Sequence, residues 1–258
     1  MRGRQRARLC ALAIVLAGST AARDPILVPE ISEHEIVVRQ GFTGADLLLY
    51  GAILEPDRAR VREDGDYEIV VVLKGPPEAI SLREKQRRYG IWVNAEDASF
   101  RSAPSFYAVA SSRPLEDIVE RRTAAIYELG LDSLQLSPIG AFEPEQQARL
   151  TAGLVESRVS QGLYRQDDGG VSISGGVLYQ ARIALPSNVV TGTYVAETFA
   201  IADGRVVASA TSEVTVAKRG FERAIEISSR ENSFGYGLVA VMLSIMMGLI
   251  AGRLFASS

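Results

Sequence analysis

One cysteine, one histidine and one tryptophan occur in 258 residues, and each scarcity closes off a class of chemistry. Cys10 falls inside an amino-terminal stretch that has the pattern of a secretory signal, so the processed chain is expected to carry no thiol. Disulfides, thiolate metal sites and a cysteine nucleophile are thereby excluded. His34 has no carboxylates around it at a spacing that resembles a set of metal ligands, and it reads as a surface or hydrogen-bonded residue at the start of a strand. Ser-His-Asp catalysis would rest on it alone, and no Gly-x-Ser-x-Gly elbow is present. No glycine-rich loop precedes a helix in the manner that cradles phosphate. Strong charge of either sign is missing too. A net charge of −3 implies neither nucleic acid nor a strongly anionic surface as a partner, so basic patches have to be judged locally. The only dense one, Arg83-Glu84-Lys85-Gln86-Arg87-Arg88, is interrupted by Glu84, contains no aromatic residue, and reads as a solvated strand edge or loop.

Acidic runs do not make ion sites either. Glu63-Asp64-Gly65-Asp66 fails the residue order of a calcium loop and lacks its distant glutamate, and Asp167-Asp168-Gly169-Gly170 has the same difficulty. Turns between strands explain both. Trp92, between Ile91 and Val93, reads as core packing unless its face is exposed. No catalytic residue, metal or cofactor is therefore expected. Paired carboxylates can still converge from anywhere in a fold, which keeps a carboxylate-dependent hydrolase open as an alternative.

What the chain does have lies first at its two ends. Arg2, Arg4, Arg6 and Arg8 precede a short apolar core, Leu9 to Ala17, and Gly18 to Ala22 supplies small residues. This predicts a signal peptide over 1–22, with cleavage after Ala22 and an uncleaved anchor as the alternative. A lipid anchor is not expected, because Ser19 stands where a lipoprotein signal needs cysteine, and the twin-arginine pattern is absent. At the other end no charge occurs between Ser233 and Gly252, a run long enough for one helical crossing of roughly 20 residues. Tyr236 sits near its start and Arg253 closes it. A transmembrane helix over 233–253 follows, with 254–258 cytoplasmic and the bulk of the chain in the periplasm, anchored in the inner membrane. Within the helix Ala240, Ser244, Gly248 and Gly252 recur every fourth position and form a shallow groove on one face. Close backbone approach in such a groove supplies the packing that lipid does not drive. The lipid bilayer is one partner; a membrane protein, or a second copy of the chain, is the other, with plain anchoring as the alternative.

Between the ends, period-two alternation predicts strands at Glu35–Arg39, Ala45–Ile53, Tyr67–Leu73, Tyr89–Asn94 and Ser105–Ala110. A second group begins near Val171 and runs through Val177–Leu185, Thr193–Ile201 and Arg205–Val216, with Phe221–Ile227 as a last strand. Ala202 and Arg205 flank Asp203-Gly204, a strong hairpin signal. Gly192 and Tyr194 match the tyrosine corner of an immunoglobulin-type strand, and Gly65-Asp66-Tyr67 echoes it weakly. Two helices are expected in the middle. One follows Pro114, with Leu115, Ile118, Val119, Ile126 and Leu129 inward and Gly130 as a stop; the other runs from Pro144 to Gly162, with Ala148, Val155 and Val159 inward and Leu154 nearby. The fold class is accordingly mainly β: a first sandwich region over 23–113, a helical hairpin over 114–162, a second, immunoglobulin-like sandwich region over 163–232, and the terminal helix.

Several stretches resemble a family of candidate transmembrane proteins of unassigned function from alphaproteobacteria. They are His34-Glu35-Ile36-Val37-Val38 with Gly41-Phe42-Thr43-Gly44, Tyr50-Gly51-Ala52, Leu185-Pro186-Ser187-Asn188-Val189 with Gly192-Thr193-Tyr194, Lys218-Arg219-Gly220-Phe221-Glu222, and Tyr236-Gly237-Leu238. The resemblance implies a signal peptide, a periplasmic portion and one carboxy-terminal span, carries over no catalytic residue, and implies association with transporters of the sulfite-exporter type. A non-enzymatic, membrane-anchored interaction or accessory protein is the leading expectation. Besides the hydrolase, a periplasmic assembly chaperone is the third, and it would need a long unpaired strand edge.

Overall fold

The computed structural model describes residues 25–39, 41–54, 67–88, 90–136, 138–140, 142–218 and 233–256; at 83–88, 92–97, 218, 233–236, 239–240, 250–252 and 254–256 it describes the backbone alone. The chain is mainly β. One sheet has the order β1 (Ile26–Ile31), β3 (Gly44–Leu54), β11 (Leu178–Pro186), β10 (Val171–Ser174), all antiparallel. A second has the order β2 (Glu35–Val38), β13 (Arg205–Lys218), β12 (Gly192–Ala202), β4 (Glu68–Lys74), β7 (Tyr107–Ser111), β9 (Tyr164–Asp168). Its two outer strands, β2 and β9, pair parallel to their neighbours.

Burial explains the patterns. In β11, Tyr179, Ala181, Ile183 and Leu185 are buried while the residues between them are exposed, as suits a sheet with one face in water. In β4 every residue from Ile69 to Leu73 is buried, and so is all of β7. Those strands are covered twice, by the first sheet on one side and by residues 114–136 on the other, and a strand buried on both faces reads as a continuous apolar run.

The expectation of two sandwich regions is corrected here. β3 pairs along its length with β11, from Gly44 opposite Pro186 to Ala52 opposite Leu178; β4 pairs with β12, β2 with β13 and β7 with β9. Strands from both halves of the chain sit side by side in the same two sheets and share one core. Alternation within a strand reports which face is wet, but not which distant strand lies beside it.

The helical hairpin is corrected as well. Residues 114–162 form α1 (Leu115–Ile118), α2 (Arg121–Tyr127), a 3-10 turn at Leu131–Ser133, the short strand β8 (Pro138–Ile139) and α3 (Pro144–Ser160). The first expected helix breaks where Val119 (φ −137°, ψ 144°) and Glu120 (φ −70°, ψ 147°) are extended, so Ile126 turns outward and is exposed while Ala124 is buried. α3 buries Leu150 and Leu154 rather than a face centred on Ala148 and Val159, which are exposed.

A third sheet is a long hairpin, β5 (Pro77–Arg88) and β6 (Ile91–Pro104), joined by β8. Its base is braced. Leu82 packs against Gly153 of α3, Glu78 pairs with Arg158, and Tyr164 Oη donates to Pro104 O at 2.8 Å. The hairpin leaves the second sheet beyond Lys74, whose strand partners are Val195 and Tyr107 near the starts of β12 and β7. β13 finishes at that same end, where Val216 faces Gly192.

α4 (Ser233–Ala256) is a 24-residue helix with one charge, Arg253. Among the described residues, no helix is long and apolar enough to cross a membrane. The amino-acid sequence of α4 is uncharged from Ser233 to Gly252. The expected signal peptide, Cys10, Gly65-Asp66 and Phe221–Ile227 lie outside the described residues.

Candidate functional site

The densest polar convergence is built on β4. Lys74 ends that strand, and its ammonium donates to Glu128 Oε2 at 2.9 Å and pairs with Glu197 Oε2 of β12 at 3.1 Å. Glu128 follows α2 in the left-handed region, φ +52°, and its conformation is pinned from three sides. Its carbonyl accepts the Tyr107 hydroxyl at 2.7 Å, its Oε1 accepts the Gln135 N–H at 3.2 Å, and its Oε2 accepts Lys74. Gly130 N–H in turn donates to Tyr107 Oη at 2.9 Å. Tyr127 packs edge-on to Phe199, ring centroids 5.5 Å apart, and completes the seal between residues 114–136 and the second sheet.

Charge placement decides what this cluster can do. Burial works to lower the Lys74 pKa, but the two carboxylates outweigh it and hold the amine above its ordinary value of 10.5. A lysine nucleophile or base needs the opposite shift. Burial also drives the Tyr107 phenol far above its ordinary range, so it exchanges no proton near neutral pH. The cluster is a clamp that fixes the helical segment to the sheet. Nothing in the sequence spacing announced it, because its members come from four separate segments; only the stop signal at Gly130 pointed to the left-handed turn.

Two clefts flank α3. One, of about 740 Å³, has Asp46, Arg165, Gln166 and Tyr164 in its wall; the other, of about 820 Å³, has Asp132, Gln147, Thr151 and Glu156. Leu131 and Val159 line both. Among the described residues no three His, Cys, Asp or Glu side chains group so as to hold a metal. His34 pairs with Glu30 at 3.2 Å on the exposed surface. Asp168, in the turn-like acidic run, accepts from Ser111 Oγ at 3.3 Å and Gln166 Nε2 at 3.2 Å.

Tyr194 Oη donates to Val190 O at 2.7 Å, and Gly192 between them has φ +149°. A Cβ at Gly192 would stand 2.9 Å from Pro76 Cγ, so the corner lies directly against the base of the hairpin. The free edges of the two packed sheets are short: β10 and β2 have four residues each, β9 has five, and β1 has six with Pro29 among them. Ala240, Ser244, Gly248 and Gly252 all fall within α4. A Cβ at Gly248 would meet nothing within 4 Å, and Leu238, Val241, Met242, Leu243, Ile245, Met246, Met247 and Leu249 are exposed.

A family model described as "Putative transmembrane protein (Alph_Pro_TM)" matches residues 26–257. The chain belongs to this family. The matched span of Alph_Pro_TM opens on the first residue of β1 and runs past the last residue of α4, so the paired sheets, the braced hairpin and the terminal helix are one family unit. No curated protein matches the chain.

Proposed function

We propose that this chain is a non-enzymatic interaction protein, anchored by α4 in the inner membrane with its β body in the periplasm. One observation carries the reading. α4 holds eight large apolar side chains exposed, beside a body whose own core is already closed. Water-soluble surfaces rarely leave so large a contiguous apolar area uncovered, and lipid covers it without further design. The family description agrees with it. The open flank at Gly248 supports a second role for the helix, which is to pack on a neighbouring helix: another copy of this chain, or a transporter of the sulfite-exporter type.

The test has two arms. After alkaline carbonate washing the full chain stays with the membrane pellet, and protease added to spheroplasts digests the β body; release into the supernatant or protection of that body refutes the anchored reading. Gly248→Ile fills the groove. It is expected to abolish a crosslink between helices while membrane insertion is unchanged, and an undiminished crosslink leaves anchoring as the whole role of α4.

A further inference from the structure

The β5–β6 hairpin sorts its charges along its length. Midway along it Arg83 stands opposite Asp97 and Glu84 opposite Glu96, one cation among three acids. Beyond them the pairs are Lys85 with Asn94, Gln86 with Val93, Arg87 with Trp92 and Arg88 with Ile91. From Lys85 to Val93 the chain carries three cations and no acid, in a protein whose net charge is −3. The linear sequence hides this, because the basic run itself contains no aromatic residue; the strand register sets the chain's single tryptophan opposite Arg87. Beside them Ile91 is 65% exposed.

Direction supplies the second half of the inference. The hairpin departs from the end of the second sheet at which β13 finishes, and β13 leads to α4 through residues 219–232. Its base is held by α3 and β8, so its heading is set by the fold rather than left free. β5 has 12 residues, which at roughly 3.3 Å each project about 35 Å. The connection from Lys218 to Ser233 reaches at most about 50 Å fully extended, so a body standing one hairpin-length above the bilayer is within its tether.

We propose that the hairpin tip, Lys85–Arg88 with the facing Ile91–Val93, rests on the anionic headgroups of the bilayer that α4 spans. The proposal builds on the membrane-anchored reading. Cations attract anionic lipid within a Debye length, and tryptophan settles at the level of the headgroups. The contact fixes the height and tilt of the β body above the membrane, which a single helix and a connecting segment do not.

Trp92 reports on it directly. The full chain is reconstituted into vesicles of phosphatidylcholine with phosphatidylglycerol, and into phosphatidylcholine alone, each doped with lipid brominated near the headgroup. In the anionic vesicles Trp92 emission is expected to shift to the blue and to be quenched, and both effects recede in neutral vesicles and in high salt. Lys85→Gln, Arg87→Gln and Arg88→Gln together should lower the ratio of quenched to unquenched Trp92 about a hundredfold, about fivefold for each cation. Trp92 unquenched in both lipids, or quenched equally in both and in the variant, overturns the proposal; an acidic protein as the true occupant gives the first of these. A chain that does not float with carbonate-washed vesicles overturns the anchored reading instead. The salt series on the unsubstituted protein makes the same distinction without any substitution.

Discussion

Tyr107 and Tyr194 make the same kind of bond, a phenol donating to a backbone carbonyl, yet only one was visible in the sequence. Tyr194 reaches four residues back to Val190 across a glycine, a local pattern. Tyr107 reaches forward to Glu128 and Gly130 in another segment, and no spacing rule connects them. Tyr107→Phe would orphan the Gly130 N–H and the Glu128 carbonyl together, at an expected cost of roughly 1–3 kcal/mol in chemical denaturation. A change under a few tenths would mean that water or a shifted loop replaces both bonds. The buried phenols also set a pH limit. Burial pushes up Tyr107, Tyr164 and Tyr179, and takes Tyr194 to about 12. Each phenol ionises more readily unfolded than folded, so its stabilisation is complete below about pH 10 and is lost as pH rises beyond that. Lys74, held above 10.5 by Glu128 and Glu197 against the opposing effect of burial, loses its contribution at the same alkaline end. Stability is therefore expected to be level across neutral pH and to fall above about pH 10, by up to about 1.4 kcal/mol per pH unit for each ionising group. Urea midpoints at stepped pH would show it, and a fall beginning near pH 8 would contradict it.

Elements were legible where one physical demand dominates. β10, β11, β12 and β13 fall where alternation and turn residues put them, and Asp203-Gly204 forms the two-residue link, with φ +51° and +73°. Both residues at positive φ match the mirror-image turn that suits strand twist. Gly204→Val places a β-branched residue there and is expected to cost about 1 kcal/mol or more, measured as a lowered Tm. An unchanged Tm would mean that the turn tolerates another geometry. Legibility failed where two demands compete. Val119 and Ile126 share one helical stripe on paper, but Val119 is buried in an extended connection that ends α1, and Ile126 faces solvent. β5 was left open between strand edge and loop because its charged residues carry no apolar alternation, and pairing with β6 is what makes it a strand. β9, with Arg165, Gln166, Asp167 and Asp168 exposed, was hidden for the same reason.

At the scale of the molecule, the register of β3 against β11 is the decisive fact. Composition predicted a mainly β body and local patterns placed many of its strands, but pairing partners are a property of the completed fold. A fragment ending at residue 162 lacks β9 to β13, and with them the neighbours of β2, of β3 on one side, and of β4 on one side. It is expected to show no cooperative unfolding transition, and a sharp transition would restore the picture of two independent units. The interleaving also has a temporal consequence. A chain made from its amino terminus lays down β2 and β3 early, yet β11 and β13 that complete them arrive only shortly before α4. Their open edges and apolar faces must be shielded through nearly all of synthesis, because non-local strand pairing is slow and its intermediates are sticky. Holdase chaperones, rather than stepwise folding, are what such a nascent chain requires.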